Sequence, residues 1–314
     1  MSEPEISFCV PVFNATGTIE RCLRAVLAQA VPSREIVVVD NCSTDDTAAK
    51  AREILRGVPD ARVVVNEKNI GRIENWNKCL ELATGKYIKF ALANDVLLPG
   101  SAEMLLAEAR RHPEAEMICS WPKFVTEIPA TLEAVPANPA IEIFRPVEML
   151  HHLCSVVYND TGSLNGILMK GETVRRAGLR YRPDLPFYAD LYHAIELSDY
   201  GPVVYVKAYS HLFDQSNKGR FTFSGLKMLP YYSEVRACAA LIARLQAKHG
   251  ATDWQGFGFL FYHYVNHQTH FGEASPPGFQ ETFKLFKNTG PYCRLAIKHR
   301  LGWSLRHFFK SSKE

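Results

Sequence analysis

The chain has 314 residues, of which 47% are hydrophobic and 22% charged, and a formal net charge of +3. That length buries one large core, or one core with a smaller appendage, and the composition is that of an ordinary globular protein. A charge so near zero gives no footing for nucleic acid as a partner, and none is expected. The start, Met1-Ser-Glu-Pro-Glu-Ile6, has no basic segment leading into an apolar one, so no secretory leader is expected. No uninterrupted apolar run reaches membrane-spanning length. The eight cysteines are scattered without zinc-like spacing, and Cys9, Cys79 and Cys119 fall in apolar segments. They read as buried thiols of a reducing, cytoplasmic compartment.

Taken in order, Ile6 to Val12 reads as a first strand ending in Pro11-Val-Phe-Asn14. Ile19, Cys22, Leu23, Val26 and Leu27 recur at helical spacing, with Thr16 or Thr18 as cap. Glu35 to Asp40 is a second, β-branched strand. Asn41-Cys-Ser-Thr-Asp-Asp46 then turns the chain into a helix running to about Leu55, with Ser43 or Thr44 as its cap. Val63 to Val65 is a third strand, and a helix runs from about Arg72 to Leu82. Tyr87 to Leu92 is a fourth strand, apolar except for one lysine, and followed by Asn94 and Asp95. This alternation predicts a right-handed, mostly parallel sheet with helices on both faces. A helix from Ser101 to Arg110 and a strand from Met117 to Trp121 follow. Thr126 to Pro146 reads as one long loop of the kind that serves as lid or linker. A strand over Leu164 to Met169, a helix over Asp190 to Ser198 and a last strand over Val203 to Ala208 complete the domain. From about residue 221 the composition shifts to helical, aromatic and histidine-rich segments. The expected division is therefore a domain over 1–220 and a helical extension over 221–314.

In a parallel sheet the carboxyl ends of the strands gather ligands along one edge. Here those ends carry Asn14, then Asp40 with Asn41, then Asn69 with Arg72, then Asn94 with Asp95. The dinucleotide fingerprint G-x-G-x-x-G is absent after the first strand. A carboxylate and several amides at such an edge still suit a nucleotide, through base N–H groups and ribose hydroxyls. Each residue taken alone is as well explained by turn chemistry, since Asx residues favour strand ends.

The ordered set Pro11-Val-Phe-Asn14, Glu35-Ile-Val-Val-Val-Asp-Asn-Cys-Ser-Thr-Asp45, Asn69-Ile-Gly71, Asn75-Trp-Asn-Lys78, Ala83-Thr-Gly-Lys-Tyr-Ile88 and Asn94-Asp-Val-Leu-Leu-Pro99 resembles the family 2 glycosyltransferases. The resemblance implies the GT-A fold, a Rossmann-like sheet flanked by helices. It also implies an inverting transfer from a nucleotide-sugar donor, UDP-linked in most members, to a hydroxyl acceptor. By the same resemblance Asp40 reads the nucleobase, Pro11 and Phe13 wall its pocket, and Asn69 and Arg72 lie near base or ribose. The family's metal-binding DxD motif is degenerate in this chain. Leu92 replaces the first acid and Asn94 the metal-ligating one, leaving Asp95 acidic. Asn94 and Asp95 are the expected metal station for Mn²⁺ or Mg²⁺, Asn94 bringing an oxygen without charge. His211, Lys218 and Arg220 are expected to meet the diphosphate and offset that lost charge. Asp190, before Leu191-Tyr-His193, matches the second acid of a pair that opens a helix in the family and serves as general base; the first position is Ala189. Asp184 is the fallback, and Gly162-Ser163 resembles a small-residue turn beside donor sugar and acceptor.

His263, His267 and His270 share one helical face and are read as aromatic packing, while His151 and His152 are unassigned. The tail Leu295 to Lys310 mixes basic and aromatic residues, which fits packing on the domain or peripheral contact with the inner membrane face. Such a chain would work on a glycan or lipid-linked acceptor in cell-surface polysaccharide or glycolipid synthesis. Two rivals stand beside this reading. A nucleotidyltransferase would need a Gly-rich, basic loop after the first strand, which Asn14-Ala-Thr-Gly17 does not supply. A non-catalytic nucleotide-sugar-binding or interaction protein is kept alive by Asn94.

Overall fold

A computed structural model describes residues 3–149, 164–216 and 229–250. The strands among them are β1 (Ile6–Val12), β2 (Arg34–Asp40), β3 (Ala61–Val65), β4 (Tyr87–Phe90), β5 (Val96–Leu97), β6 (Met117–Val125), β7 (Ile141–Phe144), β8 (Ile167–Lys170) and β9 (Val203–Asp214). The helices are α1 (Ile19–Leu27), α2 (Thr47–Ile54), α3 (Arg72–Leu82), α4 (Ser101–Arg111), α5 (Gly171–Ala177), α6 (Ala189–Leu197) and α7 (Leu229–Lys248). One sheet orders the strands β3-β2-β1-β4-β8-β6-β9-β5, with β7 also paired to β9. All seven residues of β1 are buried, which is why its sequence runs apolar without alternation: both faces are covered by helices.

The βαβ rhythm of the first hundred residues is as expected, and β1 to β4 are mutually parallel. Beyond β4 the direction changes. β8 runs antiparallel to both β4 and β6, and β5 and β7 run antiparallel to β9. The base of the sheet is pinned by Glu35, whose Oε1 accepts from Ser7 Oγ (2.6 Å), Thr84 N (2.5 Å) and Thr84 Oγ1 (2.8 Å). Gly85 closes that knot: a Cβ there would lie 2.7 Å from Ser7 Oγ, so only glycine lets the strand approach.

Several expectations are corrected. The stretch 126–146 is not one loop, because Ile141–Phe144 pairs with β9. The fourth strand ends at Phe90 and a short β5 follows the Asn94-Asp95 turn. Helix α5 was not foreseen, and β9 is longer than expected because it continues through His211 to Asp214. Neither Ser43 nor Thr44 caps α2; Asp46 holds the cap position without a side-chain bond. Thr18 occupies the cap of α1, likewise without one. Helix α7, in the stretch read as a helical extension, packs on the domain. Its Cys238, Leu241, Ile242 and Leu245 join the cluster that holds Trp76, Phe90, Tyr181 and Leu191. Among the described residues the cysteines are unbridged, all buried except half-buried Cys42. No helix among them is long and apolar enough to cross a membrane. Lys218, Arg220, Gly162, Ser163, His151, His152, His263, His267, His270 and the basic tail lie outside the described residues.

Candidate donor and catalytic site

β1 and β2 are neighbours in register, Val12 opposite Asp40, so their ends open onto one edge. Asp40 is fully buried there. Its Oδ1 accepts from the N–H of Ser43 at 2.6 Å, and its Oδ2 is buried without a hydrogen-bond partner among the described residues. One step along, Pro11 is buried and Phe13 stands 47% exposed, among the most exposed large hydrophobics described. Asn14 adopts a left-handed backbone, φ 48°, which Asn tolerates better than most residues. Its Oδ1 accepts from Thr44 N at 2.9 Å, and its N–H donates to Ser43 Oγ at 2.8 Å. Asn14 thus ties the first strand's loop to the second's.

A ladder of amides carries the edge onward. Asn41 Nδ2 donates to Asn69 Oδ1 (2.8 Å), and Asn41 Oδ1 accepts from Asn66 Nδ2 (3.1 Å) and Ile70 N (2.9 Å). Asn66 Nδ2 also donates to Asn75 Oδ1 (2.9 Å), whose own amide donates to Val39 O (3.0 Å). Asn69 Oδ1 further accepts from Gly71 N at 2.9 Å, so its oxygen is committed to building the loop. That loop delivers Arg72 to the start of α3. The Arg72 guanidinium lies 4.6 Å from the centre of the Trp76 ring and donates through Nη2 to Pro186 O. Burial lowers its pKa, against the pull of Asp190 and Glu234.

The turn after β4 is built differently. Asp95 is buried, with 2% exposure. Its Oδ2 accepts from Asn165 Nδ2 at 2.7 Å and its Oδ1 from Asp214 N at 3.3 Å. Asn165 Oδ1 in turn accepts from Leu92 N at 2.6 Å, and its carbonyl takes Lys89 Nζ. Lys89 is fully buried, and desolvation pulls its pKa down to about 7. Asn94 is half-buried, and its carbonyl accepts from Arg21 Nη2 at 3.4 Å, while the same nitrogen pairs with Asp214 at 3.3 Å. His211 is fully buried, its Nδ1 3.0 Å from Ser210 Oγ. Sequence reasoning missed Arg21, Asn165 and Asp214, which shape this turn. They come from α1, the turn before β8 and the end of β9, far apart in the chain and without a shared motif.

The donor set at this turn does not fit a carboxylate-held divalent ion. Leu92 and Asn94 bring no charge, and the carboxylate of Asp95 is folded inward onto Asn165 and the backbone of Asp214. Among the described residues no group of three or more His, Cys, Asp or Glu is disposed to hold a metal.

Asp190 is the second residue of α6 and accepts from its neighbour's N–H, Leu191, at 2.8 Å. Burial raises its pKa, opposed by that N–H and by the charge of Arg72. Such a carboxylate is a stronger base than one in water. Asp184, the fallback, is exposed and paired with Arg182, whose hydrogen bonds hold its pKa down. His193, one turn beyond Asp190, is enclosed. Its ring meets Tyr181 edge-on at 4.3 Å, neither nitrogen has a partner among the described residues, and burial lowers its pKa to about 4.

The nine strands, with ligand-type residues gathered at the ends of β1, β2 and β4, define the class: this is a GT-A fold, a central sheet flanked by helices. Residues 7–137 match the model of Glycosyl transferase family 2. It is similar to an uncharacterized protein, MT1568, of Mycobacterium tuberculosis, 48% identical over 104 residues that make up 33% of this chain and 32% of that protein. It is also similar to the putative teichuronic acid biosynthesis glycosyltransferase TuaG of Bacillus subtilis, 36% identical over 93 residues, 30% of this chain and 37% of that protein. The chain spans about a third of the length of these curated relatives. Among solved structures, S. aureus TarS 1–349 in complex with UDP-GlcNAc superposes with a TM-score of 0.68 at 17% identity, over 85% of this chain and 74% of that one.

Proposed function

We propose that this protein transfers a sugar from a UDP-linked donor to an acceptor hydroxyl with inversion at the anomeric carbon. The observation that carries the reading is Asp40: a buried carboxylate with one oxygen unpartnered, beside the exposed ring of Phe13. A buried acceptor left unmade is unfavourable by about 1–3 kcal/mol unless a ligand supplies the donor. The imide N–H of uracil is such a donor, and the Phe13 ring offers a face for the base. Pro11 and the amides of Asn14 and Asn69 border the same edge.

In this reading Asp190 takes the proton of the acceptor hydroxyl while that oxygen attacks the anomeric carbon. The bond from that carbon to the diphosphate oxygen breaks on the opposite face, and the nucleoside diphosphate leaves with the electron pair. The raised pKa of Asp190 and its place at the head of α6 support the assignment. His211, Lys218 and Arg220 remain the proposed partners of the diphosphate, and Arg21 beneath Asn94 adds a cation at the same turn. The relative named for teichuronic acid biosynthesis supports a role in cell-surface polysaccharide or glycolipid synthesis, with a glycan or lipid-linked acceptor at the inner membrane face.

The test is calorimetric titration of the full chain with UDP, GDP and CDP, followed by an assay of UDP release from UDP-sugars. UDP is expected to bind most tightly of the three. Absence of binding by any nucleotide would overturn the reading. Tight UDP binding with no turnover of any sugar would favour the non-catalytic binding protein, which the neutral Leu92 and Asn94 support.

A further inference from the structure

The helix that carries Asp190 is capped from far along the chain. Glu234, on α7, is fully buried, and its Oε2 accepts from the N–H of Phe187 at 2.7 Å and of Tyr188 at 2.8 Å. Tyr188 holds the cap position of α6 and makes no side-chain cap bond of its own. The backbone amides of the turn leading into this helix are therefore held by a carboxylate nearly fifty residues away in sequence.

Three features show that Glu234 is more than a cap. Its Oε1 is buried without a partner among the described residues. A charged group with one oxygen idle is an expensive way to hold two amides, since a neutral acceptor would do the same. Arg72 acts electrostatically on both Glu234 and Asp190, and it grips the same connection by donating to Pro186 O. Ala189, the residue before Asp190, is small and buried, so the first turn of α6 offers no second acid of its own.

We propose that Glu234 is a positioning residue for Asp190: from α7 it holds the turn that delivers Asp190 and places a second carboxylate near Arg72. This rests on the reading of Asp190 as the general base. The other charged and titratable groups facing the pair are Tyr181 and Cys238 on Asp190, and Asp184 and Cys238 on Glu234. None of these is a cation, and among the described residues Arg72 is the positive charge that acts on both carboxylates. Helix α7 lies beyond residues 7–137, where the family model matches.

The sign of the effect follows. Glu234→Gln keeps a carbonyl oxygen for the amides of Phe187 and Tyr188 but removes a negative charge. With one negative charge fewer around Asp190, its ionised form is favoured, and its titration midpoint falls. The experiment is carboxyl ¹³C NMR on the full chain, with the Asp190 signal assigned by its loss in Asp190→Asn. A downward shift of about half a pH unit or more is expected in Glu234→Gln. An unchanged midpoint overturns the proposal. Glu234→Ala removes both charge and cap, and is expected to lower kcat at least tenfold with the donor KM unchanged. If that variant does not fold, the Gln variant decides. Where donor turnover is measurable, the acid limb of the Glu234→Gln kcat profile is expected to move down with the NMR midpoint. A midpoint that moves in a protein turning over no donor supports the coupling while overturning the base role.

Discussion

Asp40 and Asp95 are both buried aspartates, one closing the parallel strand β2 and one in the turn after β4, yet the fold treats them oppositely. Asp95 spends both oxygens inside the protein, on Asn165 and on the backbone of Asp214. Asp40 spends one, on Ser43, and keeps the other. The difference teaches how to tell a structural carboxylate from a binding one when both look alike in sequence. The structural acid draws its partners from distant strands and knits them together. The binding acid is held by its own turn, so that its remaining oxygen stays at the strand edge. On this comparison, the turn where a metal was expected is built as a structural joint, and the proposed binding function falls at the first two strands.

The largest effect is expected where the joint is broken. Asp95→Ala strands the amide of Asn165 and the N–H of Asp214 in a dry interior, and it frees Leu92 and β5 from the end of β9. Two buried donors left unmade amount to roughly 4 kcal/mol of lost stability, read from urea denaturation. A loss below about 1 kcal/mol would mean the joint is wet and would collapse the distinction from Asp40.

His193 sharpens the comparison from another side, because it too has unpartnered polar atoms and yet is no binding site. Its ring is sealed against Tyr181 in the apolar cluster. Burial depresses its folded pKa to about 4, below the ordinary value of about 6.5. The stability it contributes is therefore complete above about pH 6.5 and declines as the pH falls toward 4, where the unfolded chain takes up the proton first. The loss over that window is roughly 3 kcal/mol. His193→Phe is expected to flatten this slope in denaturation curves taken between pH 7 and pH 4.

Much of this was legible in the sequence, and the boundary is instructive. The parallel half was readable because each of its strands is a short, mostly apolar run with a helix close after it, as in Ile36-Val-Val-Val39, so local pattern and topology agree. Asp40 was readable because its turn, Asn41-Cys-Ser-Thr-Asp45, is contiguous. The antiparallel half was less so. β7 hid in a Pro-rich stretch, since four residues pairing with β9 leave no periodicity of their own. The commitment of Asp95 was hidden because Asn165 lies 70 residues away. Glu234 was invisible as a functional residue for the same reason: a helical glutamate reads as solvent-exposed until the fold buries it against α6. Sequence shows which residues are available for chemistry, and long-range contacts decide which of them are already used.

At Asp40 the expected effect is on binding rather than stability. Asp40→Asn keeps an oxygen for Ser43 N–H but turns a donor toward the base where an acceptor is needed. UDP affinity is expected to fall about tenfold to a hundredfold, the loss of one hydrogen bond to a charged acceptor. The melting temperature is expected to move little. If instead the variant binds UDP normally and unfolds early, Asp40 is a second structural joint and the proposed base pocket is wrong.

The smallest effect is the one that tests the other half of the comparison. If the Asn94-Asp95 turn is a structural joint, a divalent ion has little to gain from it. Asp95 would have to leave Asn165 and Asp214 before it could ligate, giving up the bonds just described. Asn94 offers an uncharged oxygen and Leu92 none at all, and a hard cation needs charged oxygens to repay its lost hydration. UDP titrated into the full chain with Mn²⁺ and with EDTA is therefore expected to give dissociation constants within about twofold of each other, a difference of roughly 0.4 kcal/mol. A tenfold or greater loss in EDTA would show that the turn reopens when the diphosphate arrives. Asp95 would then belong with Asp40 among the binding residues, and Asp95→Ala should abolish the metal dependence along with its share of the stability.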